Sequence, residues 1–429
     1  MPLCGAARYG RRTDMPNAPT RGLLASLAGV ALSAALGCAP LQPRVVDMAM
    51  SSAYRPALGG ASGRGASLAS DLTKRPIAPP YQLLAGDFHC HVQPPDSEGE
   101  VSRGVPETIE LARRERLDFV VLTPHVWSRF FQEPTLRAAV REGRAHLREA
   151  LAGRPAGDTL FLLGMEYTDH RYGHVSASLA DVEAVLDELP IEEARLHPER
   201  YFERFVARGG LLVVNHPLVT PLDSIVRIAR ADLSWRPFTS SGPFPAEIEA
   251  LNRLAQGFEA FNLSATELRD RFLLGDSKHT LVATLARLDR EILRQQRRMT
   301  PLGGSDSHSH HLRATTFVLS KSRDEAGIRD AVLGGRVCVR SPEACSFTLR
   351  APGEAWVSVG GSIRGATLEG RAEGEDVDIL VNGAVTRAPL AGEIVRLDLD
   401  PGKCSVIRAR VGEGYSAPIY ANCGFSAQP

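Results

Sequence analysis

The chain has 429 residues, and its charge is balanced, with 50 Lys and Arg against 50 Asp and Glu. This balance lacks the basic surplus of a nucleic-acid-binding protein, so nucleic acid is not expected as a partner, and neither is an anionic membrane surface. The composition is typical of a soluble globular protein, and the length allows two folded domains after processed segments are removed.

The N-terminal region has the pattern of an export signal. Residues 23–36 form an apolar stretch of small residues that follows Arg21 and is too short to span a bilayer. Cys38 ends a segment similar to a bacterial lipoprotein cleavage site, although Ala35 stands where Leu is usual. We therefore predict a signal peptide over 1–38 and a lipid anchor at Cys38 as the only membrane attachment. The expected location is the periplasmic or outer face of a bacterial envelope, with plain secretion as the alternative.

Two further features concern the region before the folded part. Met15 precedes a better leader than Met1 does, so translation starting at Met15 is an alternative. Residues 39–80 are rich in Ala, Gly, Ser and Pro and show no sustained period. This composition is typical of a flexible linker, and we predict that structure begins near Tyr81.

From residue 81 onwards, short apolar runs alternate with amphipathic helical patterns. We predict strands over 83–88, 119–122, 160–165, 211–214, 258–261 and 315–319. We predict helices over 106–116, 135–152, 191–207, 245–256 and 280–298. Continuously apolar strands separated by helices indicate an α/β fold with a parallel sheet that is covered on both faces. This many units favours a closed or nearly closed barrel, which we place at 81–338.

After Gly334-Gly335 the helical patterns end. Strand-like segments occur at 337–340, 346–349, 355–359, 377–381, 394–397 and 406–411. They predict a small all-β sandwich domain over 339–429. Four cysteines lie in this last quarter, namely Cys338, Cys345, Cys404 and Cys423. In an oxidising compartment they allow up to two disulfides with three possible connectivities, against the alternative of unpaired buried thiols.

Polar side chains that could bind metal follow successive predicted strands. They are His89, His91, His125, Glu166, His216, Asp306 and His308. A single His at a strand end is usually a rim residue, but the strands of a β/α barrel converge at one mouth, which brings such residues together. Imidazole and carboxylate ligands suit Zn, Mn or Fe better than Ca or Mg. Cys90, between two of these His residues, alternates to the other side of its strand and is expected only to pack.

The order His-x-His, Thr-x-His, Gly-x-Glu, His-Pro and Gly-Ser-Asp-x-His resembles the PHP (polymerase and histidinol phosphatase) superfamily of metal-dependent hydrolases. The resemblance covers about residues 83–340. Segments 313–319 and 331–336, together with the trailing β domain, resemble the carbaryl-hydrolase-like branch. The resemblance implies a distorted (β/α)7 TIM-like barrel that binds two or three divalent metal ions.

The resemblance also implies roles for individual residues. Those that would hold one metal ion or bridge two are His89, His91, Glu166 and Asp306, and those that would complete the cluster are His216 and His308. Asp96 and His125 match the Asp of the first motif and the His of the second, and His174 fits a Gly-His pair as a ligand or as a neighbour of one. Two positions depart from the pattern, because Pro124 replaces an Asp of the second motif and Val92 replaces a hydroxyl residue of the first.

The leading hypothesis for function is hydrolysis of a small molecule by metal-bound hydroxide, at a phosphoester or at a carbamate or ester carbon. A protonated His125 or His216 would assist the leaving group. The neighbouring aromatic residues Trp127, Phe130 and Phe131 either wall an apolar substrate or pack at the rim. The alternative, which Pro124 supports, is a non-catalytic envelope lipoprotein with a degenerate barrel that binds glycan or protein through its β domain. The sequence does not predict the oligomeric state.

Overall fold

The computed structural model describes residues 80–155, 157–218, 234–266 and 277–425. The predicted signal peptide, the lipidation site Cys38 and the predicted linker up to residue 79 lie outside these ranges. Among the described residues, no helix is both long and apolar enough to cross a membrane.

The part of the chain before residue 335 alternates strands and helices. Its strands are β1 Gln82–Cys90, β2 Phe119–Leu122, β3 His125–Trp127, β4 Leu160–Leu163, β5 Met165–Asp169, β6 Gly173–Ser178, β7 Leu211–Val214, β8 Gly257–Asn262, β9 Thr300–Gly304 and β10 Thr316–Ser320. Its helices are α1 Val105–Arg114, α2 Pro134–Leu151, α3 Val182–Glu188, α4 Ile191–Leu196, α5 Glu199–Ala207, α6 Arg236–Thr239, α7 Ala246–Leu254, α8 Ser277–Gln295 and α9 Glu325–Leu333. The predicted strands and helices are present, but the strand predicted over 160–165 is divided between β4 and β5. The additional elements are β3, β6, β9, α3, α6 and α9.

One predicted helix is interrupted. The segment predicted as a single helix over 191–207 forms two helices, because α4 ends at Leu196 and α5 begins at Glu199. Pro198 has no backbone N–H to donate, and its ring disfavours the helical conformation for the residue before it. His197 accordingly leaves the helical region, with φ of −137° and ψ of 63°.

The pairing of the strands is mixed rather than wholly parallel. Parallel pairs are β1–β2, β2–β4, β3–β5, β7–β8 and β8–β9. In contrast, β6 is antiparallel to both β5 and β7, and β1 is antiparallel to β10. Only residues 170–172 connect β5 to β6, which is far too short for a parallel crossover, and Gly173 at φ 108° helps to reverse the chain.

The first part of the chain contributes to two sheets that lead into each other. The six-stranded sheet has the order β3-β5-β6-β7-β8-β9, and β10, β1, β2 and β4 belong to the larger sheet. Only Gly164 separates β4 from β5, so the chain passes directly from one sheet to the other. After β9, the N–H of Asp306 donates to the carbonyl of His89 at 2.8 Å. The carboxyl ends of β1 and β9 therefore lie side by side.

The last part of the chain is all-β apart from one short 3₁₀ turn, Pro342–Ser346. Its strands are β11 Val337–Val339, β12 Thr348–Arg350, β13 Val357–Ser358, β14 Ser362–Ile363, β15 Thr367–Arg371, β16 Val377–Val381, β17 Ala384–Arg387, β18 Val395–Asp398, β19 Ser405–Val411, β20 Gly414–Ser416 and β21 Ile419–Ala421. A four-stranded sheet, β13-β12-β15-β18, faces strands of the larger sheet across a buried apolar cluster that includes Leu349, Leu368, Ile379 and Ile407.

The larger sheet is shared by the two parts of the chain. Strand β11 pairs with β10 on one side and with β20 on the other, so the predicted boundary between residues 338 and 339 falls inside a strand. The structure bonds Cys338 to Cys345 and Cys404 to Cys423, which selects one of the three possible connectivities.

Candidate metal centre

The first two predicted ligands project from the end of β1. His89 and His91 are two residues apart on an extended strand, so their side chains share a face, and their Nε2 atoms lie 3.1 Å from each other. Cys90 points to the opposite side, where its Sγ accepts from Nη2 of Arg103 at 3.0 Å. Burial raises the pKa of this thiol to about 12, which keeps it protonated and unreactive. Cys90 thus packs away from the two imidazoles, as strand alternation predicts.

Glu166 is the hub of the cluster. It lies in β5 and is almost completely buried, with 1% of its surface exposed. Imidazole nitrogens lie between 3.2 and 3.7 Å from its carboxylate oxygens, and they belong to His89, His91, His125, His174 and His216. Burial would raise the pKa of Glu166, but the surrounding imidazoles, His174 and His89 foremost, hold it well below its usual range. The carboxylate is therefore anionic at the centre of five nitrogen donors.

Asp306 closes the cluster from the other end of the chain. Its Oδ1 lies 3.4 Å from Nε2 of His89 and 3.3 Å from Nε2 of His91. The preceding glycines allow this approach, because a Cβ on Gly304 would lie 2.4 Å from Cβ of His89 and 2.2 Å from a Glu259 oxygen. The Gly-Gly-Ser-Asp sequence therefore brings β9 and its carboxylate against β1.

His308 lies beside Asp306 and faces the same region. Its ring stacks on the ring of His91 with the centroids 4.1 Å apart, and its Nδ1 is 2.9 Å from the carbonyl of Asp306. A hydrogen bond from Nδ1–H to that carbonyl leaves Nε2 available as a ligand atom. Burial, with the neighbouring His91, lowers the pKa of His308 to about 3, so this imidazole is neutral.

Asp96, a predicted metal ligand, lies on the outer side of two imidazoles. One carboxylate oxygen is 3.1 Å from Nδ1 of His91, and the other is 3.2 Å from Nδ1 of His125 and accepts from its backbone N–H at 2.7 Å. Burial lowers the pKa of His125, but the charge of Asp96 outweighs it and raises that pKa to about 9. In this arrangement Asp96 orients both imidazoles, and it belongs to none of the tight groups of potential metal-binding side chains found among the described residues.

The prediction missed a second carboxylate that serves His89 in the same way. Oε1 of Glu259 lies 3.1 Å from Nδ1 of His89, and Oε2 accepts from the backbone N–H of His216 at 2.6 Å. Glu259 is 3% exposed, and it is the one charged residue of strand β8, between the apolar residues Phe258 and Ala260. That isolation is the signal that could have identified it, because a buried charge inside a strand needs a partner.

Two asparagines were also missed. Nδ2 of Asn215 donates to Glu166 at 2.7 Å, and Nδ2 of Asn262 lies 3.1 Å from both Glu259 and Asp306. They hold three carboxylates in place, but an asparagine is not one of the His, Asp and Glu residue types that indicate a metal site in a sequence.

His174 provides the clearest indication that something is bound here. Its Nδ1 lies 3.2 Å from Oε1 of Glu166, while its Nε2 is buried and has no hydrogen-bond partner among the described residues. Burial lowers the pKa of this imidazole, so it is neutral and retains a lone pair. An unpartnered buried nitrogen is unfavourable unless a ligand completes its bonding.

Among the described residues, the side chains that could bind metal form three groups in which the potential ligand atoms lie within 4.8 Å of one another. The groups are His91, His125 and His308; His89, His91 and Asp306; and Glu166, His174 and His216. Together they contain every predicted ligand except Asp96. The donor set of imidazole nitrogens and carboxylate oxygens fits divalent Zn, Mn or Fe.

The two predicted catalytic histidines differ in access. The His125 side chain is 17% exposed, whereas that of His216 is 3% exposed. Trp127, beside His125, is 44% exposed, while Phe130 and Phe131 belong to the buried core. Of these three aromatic residues, only Trp127 is exposed enough to contact a substrate, and the two phenylalanines pack in the core.

Pro124, the departure that supported a degenerate barrel, keeps a structural role. Its carbonyl accepts from the backbone N–H of Glu166 at 2.9 Å. This backbone contact anchors the hub residue and does not depend on the side chain at position 124.

No protein-family model and no curated protein matches the sequence. Among solved structures, a two-domain protein from Bacteroides vulgatus, described as containing a predicted PHP-like metal-dependent phosphoesterase, is 19% identical with a TM-score of 0.38 over 82% of this chain and 95% of that one. PsfC from Pseudomonas syringae is 17% identical with a TM-score of 0.31 over 56% of this chain and 82% of that one. At these values neither likeness assigns a family or an activity to this chain.

Proposed function

We propose that the chain is a metal-dependent hydrolase that binds two or three divalent ions, Zn, Mn or Fe, in a distorted β/α barrel. Its substrate would be a small molecule with a phosphoester or with a carbamate or ester bond. The observation that carries this proposal is the convergence of five imidazoles on the buried carboxylate of Glu166, with Asp306 and His308 beside them. Such a cluster contributes nothing to an apolar core, because burying these groups is unfavourable unless they are paired or bind a cation.

The arrangement favours more than one ion. His91 belongs to two of the three ligand groups, and Glu166, in the third group, also contacts His89 and His91. When bound, such ions would lower the pKa of water and stabilise negative charge that develops on a phosphoryl or acyl oxygen. Both proposed reaction centres develop that charge, so both classes of substrate belong in the test.

The chain itself would supply proton transfer through His125. Asp96 holds Nδ1 of this ring, so Nε2 is the nitrogen that faces the centre, 3.4 Å from Glu166. Its partial exposure allows contact with substrate, and its protonated ring would donate to the leaving group while Nε2 is not bound to metal, because a metal-bound nitrogen carries no proton. His216 is more deeply buried, which favours a role as a ligand over the predicted role as a proton donor.

We also propose that the protein is exported and anchored through Cys38. The two disulfides support this location, because such bonds persist in oxidising compartments. Replacing Cys38 by Ser should move the protein from the membrane fraction to the soluble envelope fraction. Retention of the variant in the membrane fraction would contradict the anchor.

The activity is tested by loading the full chain with Zn, Mn or Fe and screening phosphoester, carbamate and ester substrates. We expect turnover that is lost in His89→Ala and retained in His197→Ala, since His197 is 48% exposed and lies outside the ligand groups. A metal-replete, monodisperse parent that cleaves none of these substrates would contradict the proposal.

A further inference from the structure

Arg103 carries a guanidinium group buried directly behind the metal centre. The residue is 1% exposed and precedes α1. Its Nη2 donates to the carbonyl of His91 at 2.9 Å and to the carbonyl of Ser307 at 3.2 Å, and its Nη1 donates to Oγ of Ser307 at 2.6 Å. The remaining contacts are Nη2 to Sγ of Cys90 at 3.0 Å and Nε to Oγ1 of Thr108 at 2.9 Å.

This use of a buried charge is unusual. A guanidinium stays protonated in proteins, and removing it from water is unfavourable unless its donors are bonded. Here, all of its hydrogen-bond partners among the described residues are carbonyls, hydroxyls and a thiol, without a carboxylate. No ion pair therefore explains why an arginine occupies this position.

The partners of Arg103 have a common location. His91 is itself a proposed ligand, and Ser307 lies between the proposed ligands Asp306 and His308. These two segments are far apart in sequence and touch through few backbone bonds, such as His91 N–H to the Ser307 carbonyl at 3.1 Å. One planar group thus spans both segments and fixes the distance between them.

We propose that Arg103 is a positioning residue for the metal centre, because its guanidinium ties the His89-Cys90-His91 segment to the Asp306-Ser307-His308 segment. It would contact neither substrate nor ions, and it would act through the carbonyls of His91 and Ser307 and through the side chains of Cys90 and Ser307. The proposal rests on the proposed metal centre, and its test therefore measures metal binding rather than turnover.

The chain offers a matched control in Arg137. This arginine is also buried, at 4% exposed, and it donates to the carbonyls of Phe131, Leu186 and Leu189. Like Arg103 it caps backbone carbonyls, but its partners belong to none of the ligand groups. Loss of either arginine removes a comparable structural contribution, whereas only loss of Arg103 affects the spacing of ligands.

The experiment uses the full chain, freed of metal and titrated with Mn(II), with affinity measured by calorimetry and the bound ion observed by electron paramagnetic resonance. We expect R103M to bind Mn(II) roughly 10- to 100-fold more weakly, the range for loss of a group that orients ligands, with an altered spectrum. R103K should recover part of the affinity, and S307A should show a smaller loss. R137M should lower the melting temperature while it binds Mn(II) like the parent.

Several results would overturn the proposal. A folded R103M with the parent's affinity and spectrum would do so, as would an R137M variant that loses Mn(II) affinity to the same extent. If R103M does not fold, parent-like binding by both R103K and S307A overturns it. A parent that binds no Mn(II), Zn(II) or Fe(II) contradicts the metal centre itself, and this result is distinguishable from parent-like variants of a metal-binding parent.

Discussion

The metal centre and the core between the C-terminal sheets are equally buried but are built from opposite kinds of side chains. Leu349, Ile379 and Ile407 in the C-terminal core are completely buried, and so is His91, with Glu166 at 1% exposed. Burial of the apolar groups stabilises the fold directly, whereas burial of imidazoles and carboxylates opposes it unless they are paired or bind a cation. The C-terminal core therefore stabilises the fold by itself, whereas the cluster around Glu166 depends on pairing or on a bound cation.

The two regions also differ in the interactions that their side chains make. In the C-terminal part, disulfides and an apolar cluster join the strands. In the centre, carboxylates bond to imidazoles that would otherwise repel one another, and Nε2 of His174 has no partner among the described residues. We infer that the first region is complete as it folds and that the second is completed by metal.

The largest difference between the two regions is expected when the shared carboxylate of Glu166 is removed. Glu166→Ala should abolish hydrolytic activity to background and release bound metal, because five imidazoles lose the carboxylate that they share. Activity assays and metal analysis of the purified variant measure both effects. Full metal content in Glu166→Ala would contradict this role of Glu166, since the cluster would then bind ions without its central carboxylate.

A substitution in the C-terminal core should reduce stability and leave metal binding unchanged. Ile379→Ala should lower the free energy of unfolding by about 2–5 kcal/mol, the usual range for a fully buried Ile, while metal content is unchanged. Denaturant unfolding measures the stability, and Val385→Ala, at a side chain 61% exposed, is the control with an expected change within about 0.5 kcal/mol. Loss of metal in Ile379→Ala would show that the two regions are not separable.

A smaller effect is expected from the carboxylate that orients the ligands. Asp96→Asn should weaken metal affinity by roughly 10- to 100-fold, or about 1.4–2.7 kcal/mol, because His91 and His125 lose an anionic partner. Calorimetric titration with Mn(II) measures the change. Complete loss of binding would instead place Asp96 among the ligands, as the sequence predicted.

The smallest effect concerns pH in the metal-free protein. The pKa of His125 is raised to about 9, so its pairing with Asp96 stabilises the fold fully below pH 6.5 and this contribution is lost as the pH rises through 9. The free energy of unfolding of the chelator-treated parent, measured between pH 6.5 and pH 9, should decrease as the pH rises. The decrease should be smaller in Asp96→Asn. Equal declines in parent and variant would contradict the raised pKa.

The sequence predicted most of the residues that meet in the cluster, because they follow apolar runs. His89, Glu166 and Asp306 stand where a run of core residues ends, and the structure places them together. Glu259 escaped this rule, since it lies inside a strand, and the sequence could not show that Asp96 faces the outer side of His91 and His125. The sequence can therefore predict that a carboxylate lies near a histidine, but it cannot predict which ring nitrogen the carboxylate contacts.

The fold was predictable to a similar extent. Strands with continuous apolar runs were found, but β6 was missed because its sequence, Gly173–Ser178, is small and polar although every residue of it is buried. Two of its polar side chains have partners in the cluster, because Oγ of Ser176 accepts from Nδ2 of Asn215 and Nδ1 of His174 lies 3.2 Å from Glu166. Local pattern could not reveal a strand whose polar residues serve the site.

The central claim is that this cluster binds metal, and elemental analysis of the purified full chain tests it most directly. After loading and desalting, the parent should retain two or more equivalents of Zn, Mn or Fe, and a variant with His89→Ala and Asp306→Ala should lose them. A parent that remains metal-free after loading with each ion would contradict the account, because nothing else would then explain why these charges are buried together.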